Sequence, residues 1–225
     1  MTKFDIITIF PNIVEEYINT GIVRIAREKG LAQIDVHDLR KWTTDKHKTV
    51  DDTPYGGGPG MIMKIEPIYN AIKELKKENT IVAITTPKGE KLVQRKLVEF
   101  SQQKDLHMII LCGRYEGFDQ RIHDHLVDYE FSIGEYVLSG GELPALVLVD
   151  GITRLIPGVL GNEESLIDES FTNNTLDFPQ YTKPEKFQNW QVPEILLSGD
   201  HRKIEEWRKE KALVETKTKK PDMSK

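Results

Sequence analysis

The chain has 225 residues, of which 38% are hydrophobic and 30% charged, with a formal net charge of −5. This length and balance predict one sizeable globular domain and a smaller second one. No apolar run approaches the roughly 20 residues of a membrane span, and residues 1–11 lack the pattern of a secretion signal, so we expect a cytoplasmic protein.

Short runs rich in Ile and Val recur along the chain, at residues 4–10, 34–39, 80–85, 106–112 and 127–133. Segments with helical periodicity, including 66–79 and 91–101, separate most of them. This alternation predicts an α/β fold with a mainly parallel sheet covered by helices. The polar, Gly- and Pro-rich segment 40–64 is long for a loop, and we interpret it as functional.

A glycine-rich bend joins a strand to an apolar helix within residues 132–161, SIGEYVLSGGELPALVLVDGITRLIPGVLG. The strand turns at Gly134, and Gly140-Gly141 opens the helix. Paired glycines let the backbone approach a ligand closely. They are equally common in an ordinary strand-to-helix connection, so local chemistry leaves both interpretations open.

The composition changes after Gly161, where residues 162–175 are polar and acidic and are interpreted as a flexible linker. An extended, proline-containing passage follows, and then a helix that Ser198 or Asp200 would cap, with Ile204 and Trp207 on its buried side. The predicted organisation is a domain at 1–161, a linker at 162–175 and a small helical domain at 176–225.

Basic side chains are concentrated at the C-terminal end. Residues 201–225 hold nine Lys or Arg against five Asp or Glu, a net of +4, whereas residues 1–200 carry a net of −9. Such a tail is typical of a solvated helix face and favours an RNA partner only modestly.

Common nucleotide and metal motifs are absent. No GxGxxG follows the first strand, which argues against a dinucleotide enzyme or a conventional methyltransferase, and GGGPG at 56–60 lacks the Lys-Ser or Lys-Thr of a P-loop. The histidines form no HExxH, and the single cysteine, Cys112, excludes an internal disulfide. We predict no metal site and interpret Cys112 as a buried packing residue.

Several long motifs occur together in one order: FDIITIFP at 4–11, YGGGPGM at 55–61, TTPKGE at 85–90, CGRYEG at 112–117, GITRLIPGVLG at 151–161, LDFPQYTKPE at 176–185 and SGDHRKIEEWR at 198–208. With them the chain resembles the bacterial tRNA (guanine-N1)-methyltransferases of the SPOUT superfamily over nearly its whole length. The resemblance implies a trefoil knot in the C-terminal part of the α/β domain, which overrides the usual expectation of an unknotted sheet. It also implies that the knotted loops bind S-adenosylmethionine.

Three loops that follow strand ends are expected to form the cofactor site, since ligands gather at the carboxyl ends of parallel strands. By resemblance, the contacts fall on Pro87, Gly113, Glu116, Ile133, Gly134, Tyr136, Leu138, Gly140, Gly141 and Pro144. Arg114 and Glu116 form either a local salt bridge or a pair whose role the sequence leaves open. The loop at 56–60 is expected on the substrate side, with a surface turn as the alternative.

Two residues match the catalytic pattern of the resembled family. Asp177 in LDFPQYTKP corresponds to the proposed general base, and Arg154 in GITRLIPG to the residue that stabilises O6 of guanine. Without the resemblance, Asp177 reads as a turn residue and Arg154 as a helix C-cap. Where relatives have CPHYTRP, Phe178 and Gln180 replace Cys and His, so a role for that His cannot be transferred.

The resemblance therefore implies a homodimeric enzyme that methylates N1 of the guanine immediately 3′ of the anticodon, position 37, in tRNA. Membranes and DNA are not expected partners. Mg²⁺ dependence is associated with the family, although no ligand cluster identifies a site. The alternatives are a non-catalytic RNA-binding protein on the same fold and a SPOUT methyltransferase that acts on ribosomal RNA. The linker is expected to order on RNA, and the base to come from the other subunit.

Overall fold

The computed structural model describes residues 1–162, 169–172 and 174–224. The chain divides into two compact units, Met1–Gly161 and Asn162–Lys225. Residues 163–168 and 173 of the predicted linker lie outside the described part of the chain. Within that part, no helix combines the length and the apolar character that crossing a membrane requires.

The first unit is built on a parallel sheet. Its strands in chain order are β1 (Thr2–Thr8), β2 (Ala32–Asp38), β3 (Asp51–Asp52), β4 (Ile62–Met63), β5 (Ile81–Lys91), β6 (His107–Cys112) and β7 (Tyr129–Ser132). The short β3 and β4 pair with each other within the predicted long loop, and the other five form a sheet in the order β2-β1-β6-β5-β7, with every neighbouring pair parallel. The predicted α/β class and its five strands are confirmed.

Strand β5 is longer than predicted because it continues beyond the loop at 86–89. Thr85 and Glu90 both pair with Phe131, so the intervening residues leave the ladder as a bulge and the strand then resumes. A Cβ at Gly89 would lie 2.5 Å from the carbonyl carbon of Glu130. Glycine is therefore required where the chain returns to β7.

Helices cover both faces of the sheet. They are α1 (Pro11–Ile18), α2 (Gly21–Glu28), α3 (Ile65–Leu75), α4 (Gln94–Ser101), α5 (Gln120–His125) and α6 (Glu142–Thr153). Phe4 and Ile6 of β1 face a core shared with α1, α2, α4 and α6, whereas Ile7 faces a core shared with α3 and α5. This alternation follows from the two-residue period of a strand. Because the helices cover the two faces, the loops that follow the strands occupy the carboxyl edge of the sheet.

The second unit contains a hairpin, β8 (Lys186–Phe187) and β9 (Trp190–Gln191), followed by α7 (Glu194–Leu197) and α8 (His201–Lys219). Asp200 caps α8, since its Oδ1 accepts a hydrogen bond from the Lys203 amide at 3.2 Å. Ile204 and Trp207 are half-buried rather than buried. The predicted inner side of this helix is only partly covered, as expected for a small unit with little apolar surface to bury.

Candidate active site

A cavity of about 410 Å³ opens where β5, β6 and β7 end. Its volume lies within the roughly 300–1,000 Å³ of small-molecule sites. The loops at 86–89, 113–118 and 133–141 and the start of α6 form its wall. All ten residues predicted as cofactor contacts line this one cavity: Pro87, Gly113, Glu116, Ile133, Gly134, Tyr136, Leu138, Gly140, Gly141 and Pro144.

Gly141 joins two of these loops by close backbone contact. Its amide donates a hydrogen bond to the Gly113 carbonyl at 2.8 Å, and its carbonyl accepts one from Thr85 Oγ1 at 3.2 Å. A Cβ at this position would lie 2.7 Å from the Gly113 nitrogen and 2.9 Å from Cys112 Cα. The glycine is therefore required by the packing of the cavity wall, and any larger residue would displace it.

Arg114 connects the wall to three other segments. Its Nη2 lies 2.8 Å from Glu142 Oε2, and its Nη1 donates a hydrogen bond to the Ser139 carbonyl at 3.1 Å. The guanidinium also lies over the Phe10 ring, 4.5 Å from the centroid. The ion pair described for Arg114 is thus with Glu142, not the local pair with Glu116 that was considered from the sequence.

Glu142 is the buried carboxylate of the site, with 1% of its surface exposed. Thr8 Oγ1 donates to its Oε1 at 2.6 Å, whereas Oε2 faces Arg114 without a well-aligned hydrogen bond. Its place in the first turn of α6 suits an anion, because the helix dipole is positive there. Sequence reasoning missed this residue, and the available signal was an acidic side chain directly after Gly140-Gly141.

The loop containing the GGGPG motif lies beside the mouth of the cavity. The Glu116 amide donates to the Met61 carbonyl at 3.0 Å, and the Met63 amide to the Gly117 carbonyl at 2.9 Å. A Cβ at Gly60 would lie 2.7 Å from Glu116 Oε1. These contacts hold the loop against Glu116 and Gly117, and its position on the substrate side stays a prediction.

Arg154 does not line the cavity. It is the C-cap residue of α6, whereas Pro144 in the first turn does line it. A helix of 12 residues is about 18 Å long at ~1.5 Å per residue. Within one copy of the first unit, α6 therefore holds Arg154 far from the cavity end.

Asp177 belongs to the second unit and is exposed. Its Oδ1 accepts a hydrogen bond from Ser170 Oγ at 2.5 Å, and the Asp177 amide donates a hydrogen bond to Ser170 Oγ at 3.0 Å. The residues on either side of it are anchored on α8. The Leu176 amide donates to Thr216 Oγ1 at 2.8 Å, and the Phe178 ring lies under the Arg208 guanidinium at 4.8 Å.

Cys112 is buried next to the cavity wall. Burial, with a contribution from the Glu142 charge, raises the pKa of its thiol well above the usual range, so the group stays protonated and packs as a small apolar residue. In residues 1–162, 169–172 and 174–224, no three or more His, Cys, Asp or Glu side chains are grouped to hold a metal ion.

The family described as tRNA (Guanine-1)-methyltransferase TrmD matches residues 2–225. The chain belongs to this family. It is 49% identical over 223 residues to a protein of Dictyoglomus turgidum named tRNA (guanine-N(1)-)-methyltransferase, covering 99% of this chain and 90% of that one. Proteins of the same name from Methylacidiphilum infernorum and Staphylococcus epidermidis are 50% and 46% identical, covering 97% and 98% of this chain and 93% and 90% of theirs.

Proposed function

We propose that this protein transfers the methyl group of S-adenosylmethionine to N1 of the guanine immediately 3′ of the anticodon, position 37, in tRNA. The observation that carries the proposal is the convergence of ten family-matched residues on one cavity, in a chain that the family matches over residues 2–225. The relatives' names support the reaction, and we propose a cytoplasmic location because the proposed substrate is a tRNA.

The cavity fits S-adenosylmethionine in its chemistry. Pro87, Ile133 and Leu138 supply apolar surface for a planar base, and Gly113 and Gly140 line the cavity without side chains, so that the base can approach the backbone closely. When bound there, S-adenosylmethionine supplies an electrophilic methyl group. We also propose the SPOUT trefoil knot, which family membership supports.

Binding of S-adenosylmethionine can be tested at Gly141. Gly141→Ala is expected to weaken binding by more than tenfold, because its methyl group would meet backbone atoms of the wall at 2.7 Å. Gly161→Ala is the matched control, since a Cβ there meets nothing within 4 Å. Isothermal titration calorimetry would measure both variants, and equal affinities would contradict the assignment of the cavity.

A second copy of the chain is proposed as the partner that completes the site. An exposed apolar face runs over α1 and α6 and consists of Phe10, Ile13, Tyr17, Leu143 and Val147, each more than 40% exposed. We propose that two copies pack through this face so that Arg154 of one reaches the cavity of the other, since α6 carries Arg154 far from its own cavity. Val147→Lys is expected to shift the sedimentation coefficient from dimer to monomer, whereas the exposed control Val93→Lys is not.

Methylation at N1 requires removal of a weakly acidic proton while negative charge develops on O6. We assign proton removal to Asp177, whose carboxylate is exposed in a segment that the Leu176 amide anchors to α8, and charge stabilisation to Arg154. Positioned proton transfer contributes about 10²–10⁴-fold to a rate, and a fixed cation at the oxyanion can contribute similarly. The second unit, which presents Asp177, would thereby bind the tRNA.

The deciding experiment is transfer of labelled methyl groups to an unmodified tRNA transcript with guanine 3′ of its anticodon, followed by mapping of the product base. Asp177→Asn is expected to lower kcat by about 10²–10⁴-fold while binding of S-adenosylmethionine persists. Ser170→Ala is the matched control, because it removes the hydrogen bond to Asp177 but keeps the carboxylate. Rates with and without Mg²⁺ would test the ion dependence expected of the family.

Two outcomes would change the proposal. Full activity of Asp177→Asn together with loss in Glu169→Gln would move the base to Glu169, the residue beside Ser170. Label on ribosomal RNA, or tRNA binding without transfer, would favour one of the alternatives from the sequence.

A further inference from the structure

The hairpin of the second unit presents two aromatic rings to solvent. Phe187 and Trp190 form a cross-strand pair, with ring centroids 5.9 Å apart, and are 55% and 69% exposed. Two large aromatic side chains that are exposed side by side indicate an interaction site, because buried rings would instead stabilise the fold. The described structure of this unit therefore gives these rings no packing role.

The hairpin holds the rings in a defined place. Lys186 pairs with Gln191 in the ladder, and the Val192 amide donates to the Glu185 carbonyl at 3.0 Å. In the turn, Gln188 has a φ of 52°, in a region that favours glycine. A two-residue hairpin loop requires a positive φ of this kind, so the conformation follows from the turn itself.

The surroundings of the rings fit a nucleotide better than a protein surface. Every residue from 181 to 191 is exposed, and those around the rings are amides and charges: Lys183, Glu185, Lys186, Gln188, Asn189 and Gln191. Pro184 is the one aliphatic residue between 181 and 191, whereas the core of a protein interface is depleted in charge. The segment 181–191 has a net charge of +1 in a chain of net −5. Aromatic rings with Lys and amide groups are the combination that binds unpaired bases and their phosphates.

We propose that Phe187 and Trp190 stack on unpaired nucleotides of the tRNA substrate and that Lys186 contacts their phosphates. This rests on the proposed function and deepens it, because it assigns part of the substrate affinity to named residues. A sequence-tolerant stack of this kind positions single-stranded nucleotides without reading a particular base.

The test measures binding of an unmodified tRNA transcript to the full-length protein over a series of salt concentrations. Phe187→Leu combined with Trp190→Leu is expected to raise the Kd by about tenfold or more and to leave the slope of log Kd against log salt unchanged. Lys186→Gln is expected to reduce that slope by about one. Tyr69→Leu, which removes an aromatic ring that is 47% exposed on α3, is the matched control.

Three outcomes would overturn the inference. Wild-type affinity in the double variant would show that the rings do not contact tRNA, and the proposed function would stand. A change of oligomeric state in the double variant, seen by sedimentation, would assign the rings to a contact between copies. Failure of the wild-type protein to bind tRNA at all would remove this inference together with the proposed function.

Discussion

Two carboxylates of the first unit are buried, and different sets of partners stabilise their charges. Asp5, in the middle of β1, has no exposed surface. Its oxygens lie 2.7 Å from His37 Nε2, 2.6 Å from His107 Nε2 and 3.0 Å from Lys3 Nζ. Burial raises the pKa of Asp5, but these hydrogen bonds and the Lys3 charge outweigh it and hold the pKa well below its usual range.

Glu142 has fewer partners, and they come from different parts of the fold. Asp5 is bound by residues of β1, β2 and β6, so its cluster ties strands that the sheet already fixes. Glu142 is bound by Thr8 at the end of β1 and by Arg114 in a cavity loop. The Asp5 cluster therefore connects strands to one another, whereas the Glu142 pair also fixes the cavity loop that carries Arg114.

The largest effect that would test this difference is expected for Glu142→Gln. The change keeps the shape and a hydrogen bond with Thr8 but leaves the Arg114 charge, whose side chain is 16% exposed, without its anion. Removing one partner of a buried pair costs roughly 3–5 kcal/mol. We expect a loss of stability near the lower figure in urea unfolding, and a more than tenfold weaker binding of S-adenosylmethionine in calorimetry.

Glu28→Gln is the control for that experiment, because its partner Arg24 forms an exposed pair within one helix, with side chains 60% and 46% exposed. Such pairs contribute about 0.5 kcal/mol or less. If Glu142→Gln bound the methyl donor normally, the proposed link between the buried pair and the cavity would be wrong, whatever the stability showed.

Asp5→Asn should reduce stability without affecting the cavity. Hydrogen bonds to a charged group contribute about 1.5–3 kcal/mol each before compensation, so we expect a net loss on the order of 3 kcal/mol. The urea midpoint should fall with an unchanged m-value, and affinity for S-adenosylmethionine should stay within about twofold. Asp35→Asn is the control, since this carboxylate is 38% exposed and, of the partners of Asp5, it contacts Lys3. A strong effect of Asp5→Asn on ligand affinity would erase the distinction between the two regions.

The Asp5 cluster also predicts a sensitivity to acid. Because its folded pKa is lowered, the unfolded chain takes up the proton first as the pH falls. The stabilisation is therefore complete above the unfolded value of about 3.9 and is lost as the pH falls below it. The free energy of unfolding, measured between neutral and strongly acidic pH, should decline less in Asp5→Asn than in the wild type. Parallel curves of this free energy against pH would contradict the prediction.

Much of the fold followed from the sequence because its signals are local. Runs of Ile and Val and the helical period between them identified the five strands, and Asp200 was one of two predicted caps of α8. The bulge at 86–89 was not predicted, since it depends on the close approach of Gly89 to Glu130 across the sheet. The order of the strands was not predicted either, because pairing is a property of distant segments.

The site shows the same division between local and distant information. Family motifs identified the residues that line the cavity, because those motifs are contiguous in the chain. They did not reveal Glu142, whose importance arises from contacts with Thr8 and Arg114, 134 and 28 residues away. Nor did they place Arg154 at the opposite end of α6 from the cavity, which is a consequence of helix length.

The smallest expected effect concerns Tyr17 of α1, whose side chain is exposed. Its hydroxyl donates to Asp150 Oδ2 at 2.7 Å, joining α1 to α6, and this bond, with some burial, raises the pKa of Tyr17 to about 12. The folded state favours the protonated phenol, so its contribution is complete below about pH 10 and is lost as the pH rises towards 12. Because the pair is exposed and screened in a single copy of the chain, Tyr17→Phe should reduce the stability of the monomeric Val147→Lys variant by only about 0.5 kcal/mol, and this difference should vanish at alkaline pH. An unchanged affinity for S-adenosylmethionine would show that the exposed contact between Tyr17 and Asp150 does not influence the cavity. A clear loss of affinity would show that it does, as is expected of the buried pair of Glu142 and Arg114.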